Sequence, residues 1–335
     1  MMKKPLFILL FVLLAGGFFL QACQVTPRLK FGDGSREQWL AAHFSPDGMT
    51  LVTGDYGNSV KQYDTRTGRL LNELSFERRE NDQPVHLTAH SKDGKYILAC
   101  GHTLPLAVWD AKTGKLLRSI PSSKEEINAF SITPDEKHVL AIAHSRMLSL
   151  WELESGKQLK QRLINSGSHF PDNVQTLVFS QCGRFFVILD GPVFSVWNFQ
   201  KMELMYSSAY QKKLFDTQIE LPNFAVKGVA LAPGGLSLLI AIRDGNLIEL
   251  DIESGKQTKK YQIKPDGDIH VLAVSPKGDK IMTTGFHGNT IVYSFPECKE
   301  IKRMPGYGHV QFSPDGKTAL TFTKNGRMML WDLDK

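Results

Sequence analysis

The sequence predicts an all-β chain built as a ring of seven repeated four-stranded units, and three observations predict it. First, a turn motif recurs. Its clearest copies are Phe44-Ser45-Pro46-Asp47-Gly48 and Phe312-Ser313-Pro314-Asp315-Gly316. Weaker copies begin at Ser91, Thr133, Ser180, Ala232 and Ser275, so that seven turns follow one another at roughly 40 to 50 residues. Proline presets φ in such a turn, the Asp side chain bonds back to the backbone, and glycine accepts a positive φ. Second, each turn is followed by the same order of parts: an apolar strand, a short turn, a strand ending in an aromatic or apolar residue, a further turn and a last strand. Third, the apolar stretches are short and β-rich, with no long helical period. A single four-stranded unit cannot bury both of its faces, so the units must stack as the blades of a β-propeller.

Ahead of the ring lies a leader. Lys3 and Lys4 are followed by an apolar and small-residue run from Leu6 to Leu20. That is shorter than the roughly 20 residues needed to cross about 30 Å of hydrocarbon, and it fits the apolar region of a secretory signal. The run ends at Leu20-Gln21-Ala22-Cys23, which resembles a bacterial lipobox: an apolar residue at −3, a small one at −1, then the cysteine that is modified. The resemblance implies that residues 1–22 are a signal peptide and that Cys23 carries the lipid. Two or more acyl chains, at about 0.8 kcal/mol per buried CH₂, hold a protein stably on a bilayer. Gln24, rather than Asp, follows the cysteine; by the same resemblance this favours the outer membrane. No second long apolar run follows.

Residues 23–335 are expected to form the ring. The third strands end in Tyr63-Asp64, Trp109-Asp110, Trp151-Glu152, Trp197-Asn198, Leu250-Asp251, Tyr293-Ser294 and Trp331-Asp332. The turns after them often read Ser/Thr-Gly-Lys/Arg, as at Thr67-Gly68-Arg69 and Ser254-Gly255-Lys256. The last unit stops right after its third strand. The spare, extended segment from Thr26 to Phe31 is expected to supply the missing outer strand, which removes two open sheet edges that otherwise invite aggregation.

The turns and the Trp-Asp ends resemble the WD40-repeat family over nearly the whole of residues 23–335, and seven units are the usual ring size in that family. Its blades often carry a Gly-His dipeptide before the first strand and an Asp in the second turn, which join a buried network with the tryptophan. In this chain only Asp244 clearly fills the Asp position, His287 and Asn325 take its place in two blades, and Gly308-His309 lies too close to its strand. Hydrophobic packing is therefore expected to hold the blades.

Charge and motifs narrow the function. Loss of residues 1–22 removes two lysines and no acids, so the formal charge falls from +6 to about +4. The basic residues are scattered, which argues against nucleic acid as a partner. Cys100, Cys182 and Cys298 fall in three different repeats and are expected to be unpaired thiols. No metal-ligand spacing, GxSxG or HExxH is present, and no cofactor is expected. Gly316-Lys317-Thr318 looks like the end of a phosphate loop, but Gln311 stands where its first glycine belongs. His102, His144 and His287 map to second turns, with Arg146, Asp190, Arg243 and Asp244 nearby; as members of exposed turns they are expected to be ordinary surface residues.

The longest insertion, Tyr206 to Lys227, holds Tyr206, Tyr210, Lys212, Lys213, Phe215 and Phe224. Aromatics beside cations are typical interface anchors, and unusually long loops are often functional. Folding of these aromatics back onto the blade rim is the competing reading. The charged segment 77–82 reads as a solvated loop. The expected role is that of a membrane-anchored module that recruits a protein partner in the cell envelope. An envelope enzyme or cofactor-binding propeller, lactonase-like or quinone-enzyme-like, is the alternative, with carboxylates and histidines converging on the channel.

Overall fold

Seven four-stranded antiparallel sheets follow one another along the chain in the computed structural model, which describes residues 26–31, 39–57, 59–76, 84–101, 104–120, 126–164, 174–210 and 226–334. Six sheets are continuous in sequence: residues 39–75, 85–120, 127–163, 174–207, 226–262 and 269–305. The seventh joins Val310–Phe312, Thr318–Phe322 and Met328–Asp332 to the N-terminal strand Leu29–Phe31. The expected closure is thus present: Leu29 pairs with Leu330 and Phe31 with Met328.

Within each blade the first strand is innermost. These strands are Trp39–Phe44, Val85–His90, Ile127–Ile132, Val174–Phe179, Val226–Leu231, Ile269–Val274 and Val310–Phe312. All seven contribute to the wall of a central cavity of about 1000 Å³. Antiparallel order places the first and third turns of every blade at one end of the ring. The second turns and the connections between blades lie at the other.

Seven hydrophobic clusters fill the ring, one at each junction between neighbouring blades. The junction that closes the ring joins Phe31, Leu320 and Leu330 of blade seven to Phe44, Leu51 and Tyr63 of blade one. This bears out hydrophobic packing as the force between blades. The second strands read as near-continuous apolar runs, such as Phe185–Asp190, because each is covered on both faces.

The first turns follow the local chemistry read from the sequence. In blade one Asp47 accepts bonds from the Ser45 hydroxyl (2.6 Å) and the Met49 N–H (2.9 Å), and Gly48 sits at φ 70°. Gly316 lies in the same turn of blade seven at φ 72°, so Gly316-Lys317-Thr318 is a hairpin. Blade three has Glu136 at φ 60° in place of glycine; its carboxylate accepts the Asp93 N–H of the preceding blade (2.9 Å).

The polar network is fuller than the sequence suggests. In blade seven the Trp331 indole donates to Thr321 Oγ1 (2.8 Å), and that hydroxyl donates to the Pro305 carbonyl (2.9 Å). Asp244 lies in an exposed turn, bonded to Asn246. The buried second-turn carboxylates are Asp55 and Asp190. Each ends its second strand one step before the turn tip, and Asp190, expected at the surface, is 1 % exposed there. The three cysteines are free thiols, with Cys100 buried and Cys182 exposed.

Candidate interaction surface

The insertion that carried the sequence-predicted partner site begins at the connection end of blade four. Tyr206 is not an exposed anchor there. It is 4 % exposed, its ring packs in the core between blades four and five, and its hydroxyl donates to the Ile252 carbonyl (2.8 Å). The reason is register: Tyr206 pairs with Val196 as part of the outer strand Glu203–Ser207, and its side chain reaches across to blade five. Burial raises the phenol well above its ordinary range. Tyr210 closes the short 3-10 turn Ser208–Tyr210. Lys212, Lys213, Phe215 and Phe224 lie outside the described residues, as do Cys23, His102 and segment 77–82.

The polar second-turn residues are spread around the ring. Arg146 of blade three pairs with Asp190 of blade four (3.6 Å), and Arg243 with Asp268 (2.9 Å). Both pairs link neighbouring blades. His144 and His287 are exposed on blades three and six. Among the described residues no three His, Cys, Asp or Glu side chains come together in a way that could hold a metal ion.

The same end carries an aromatic cluster drawn from residues distant in sequence. Phe286, in the second turn of blade six, is 60 % exposed, and Tyr307, in the connection to blade seven, is 41 % exposed. His270 bridges them, with ring centroids 5.9 Å from Phe286 and 6.4 Å from Tyr307. His287 meets Phe286 edge-on at 6.1 Å, and the Lys324 ammonium lies 5.7 Å from the Tyr307 ring. Backbone bonds hold this group. Phe286 N–H donates to Asp268 (3.1 Å), Gly306 N–H to Gly288 (3.0 Å) and Tyr307 N–H to Phe322 (2.6 Å). A Cβ on Gly285 would meet the Asp266 carbonyl at 2.1 Å, so glycine is required for that close approach. The rings are thus presented from a fixed base, which lowers the ordering cost of binding. The sequence signal for this cluster is the Phe286-His287 pair at a turn tip.

At the opposite end the cavity is walled by first turns and first strands. By register, Phe44, His90, Ile132, Phe179, Leu231, Val274 and Phe312 are equivalent positions on the seven inner strands. Six are apolar. His90 is 7 % exposed; its imidazole makes at most a weak bond to the His43 backbone, and the Thr88 hydroxyl beside it meets no hydrogen-bond partner. Its ring centroid lies 6.2 Å from that of His43, across the junction of blades one and two. Burial first, then the neighbouring His43, lowers the His90 imidazole to about 3.

The family model for the WD domain, G-beta repeat, matches residues 34–64, which is most of blade one. No curated protein matches the sequence. The chain is a seven-bladed β-propeller closed by its N-terminal strand, and the match in its first blade supports a propeller of the WD40-repeat kind.

Proposed function

We propose that the protein is a lipoprotein of the cell envelope, anchored through Cys23 on the outer membrane, that recruits a protein partner through the connection end of its ring. Binding, rather than catalysis, is the role assigned. One observation carries this reading: the exposed Phe286, His270 and Tyr307 cluster, set on two rigid blades and flanked by Lys324. Clustered aromatics and cations on a fixed base dominate protein interfaces, while exposed large apolar groups cost solubility in a protein with nothing to bind. WD40 propellers in general mediate contacts between proteins, which supports the same assignment.

Crosslinking in intact envelopes, followed by purification of the protein, tests it. A discrete partner should be captured by the wild type and lost in a Phe286→Ala, Tyr307→Ala double variant that still folds. Capture unchanged by the double variant refutes the assignment of the surface. The anchor is tested separately by metabolic labelling with a fatty acid: label should enter the wild type and be absent from Cys23→Ser.

A further inference from the structure

We infer that the ring stands on the membrane on its first-turn end, resting on the rim of blade one, with the aromatic cluster directed away from the bilayer. The inference rests on the assignment of Cys23 as the anchor.

The direction of the closing strand fixes the geometry. The last strand of blade seven, Met328–Asp332, runs from a second turn at the connection end to Asp332 at the first-turn end. Its partner Leu29–Phe31 is antiparallel, so the chain enters the ring at the first-turn end. Arg28 clamps the point of entry. Its N–H donates to the Leu330 carbonyl (2.7 Å), and its guanidinium reaches Asp332 of blade seven (3.6 Å) and the Thr65 carbonyl of blade one (3.2 Å). From Cys23 to Thr26 the chain can span at most about 11 Å. A six-residue strand is about 20 Å long, so the ring is about that deep. A tether of this length cannot pass to the connection end.

The surface beside the entry point suits a lipid interface. Met49, in the first turn of blade one, is 62 % exposed. At that position blade five carries Leu236, 53 % exposed, while blades two, three, four, six and seven carry Lys95, Lys137, Arg184, Asp279 and Lys317. Leu70 and Leu71, which open the outer strand of blade one, are 43 % and 41 % exposed; Leu117, Leu159 and Ile301 are exposed at the position of Leu71 in blades two, three and six, so the blade-one rim is set apart by Leu70 and by its place beside the entry point. Arg66 and Arg69 are exposed in the turn just before them. Gly68 of that turn lies against the closing strand, where an added Cβ would touch Leu29 at 3.8 Å. Apolar side chains next to arginines, adjacent to an acyl anchor, match the boundary between headgroups and chains of an anionic bilayer.

The test uses the acylated full-length protein in vesicles of phosphatidylethanolamine and phosphatidylglycerol that carry an energy acceptor on the headgroups. A fluorescent non-natural residue is placed at position 49 in one sample and at position 286 in another. Strong transfer from 49 and weak transfer from 286 is expected, since the two ends differ by about 20 Å in height. Equal transfer, or the reverse order, overturns the orientation while leaving the anchor in place. Vesicle binding that survives Cys23→Ser overturns the anchor and this inference together.

Discussion

Replacing His90 with leucine should stabilise the ring and flatten its response to acid. The imidazole occupies an inner-strand position that is apolar in the other six blades, and it is buried with no polar partner beyond a weak contact to the His43 backbone. An unsatisfied buried polar group costs about 1–3 kcal/mol, and leucine of similar volume restores apolar burial there. The pH term is worked separately. In the unfolded chain a histidine titrates near 6.5, whereas folded His90 is held at about 3. Between these values the unfolded chain binds the proton and the folded one does not, so stability falls as pH falls below 6.5. At 1.36 kcal/mol per unit, lowering the pH from 7 to 5 removes about 2 kcal/mol through this one residue. Urea denaturation at pH 7 and pH 5 reads both effects. His90→Leu should be more stable by about 1–3 kcal/mol at pH 7, and should lose about 2 kcal/mol less than the wild type on acidification. A leucine variant that is less stable at pH 7, or that keeps the full acid sensitivity, refutes the account of this junction.

Four further outcomes follow from the same geometry. Phe31→Ala, which empties a side chain 2 % exposed and packed edge-on to Tyr63 at 5.5 Å, should cost about 3–5 kcal/mol in denaturant unfolding and loosen the closure between blades seven and one. Gly285→Ala forces a Cβ against the Asp266 carbonyl and should lower the melting temperature while weakening partner capture through displacement of Phe286. Tyr206→Phe removes the bond to Ile252 and should cost about 1 kcal/mol without altering partner capture. Phe286→Ala should leave the melting temperature within error, because the ring is 60 % exposed, and should reduce partner capture by tenfold or more.

What could be read in the sequence, and what could not, divides along physical lines. The first turns were legible because their chemistry is local: Ser45, Asp47 and Gly48 make the turn among themselves. The closing strand was legible by bookkeeping, since blade seven lacks an outer strand and Thr26 to Phe31 has no blade of its own; the strand proper is Leu29–Phe31. Burial across a blade junction was not legible. Tyr206 reads as an aromatic of the insertion, and only register with Val196 shows that it belongs to the sheet. His90 sits in Ala89-His90-Ser91, where nothing local separates it from the Phe and Leu of its equivalents. The Phe286 cluster joins residues 270, 286, 307 and 324, distant in sequence and brought together by the packing of blades six and seven.

The central claim is that an anchored ring recruits a protein through one end. It is tested most directly by site-specific photocrosslinking in living cells, with p-benzoylphenylalanine placed at position 286 on the connection end or at position 236, 53 % exposed in a first turn of the other end. One discrete protein adduct is expected from position 286 and no protein adduct from position 236. A protein adduct from 236 alone, or none from either position, contradicts the claim.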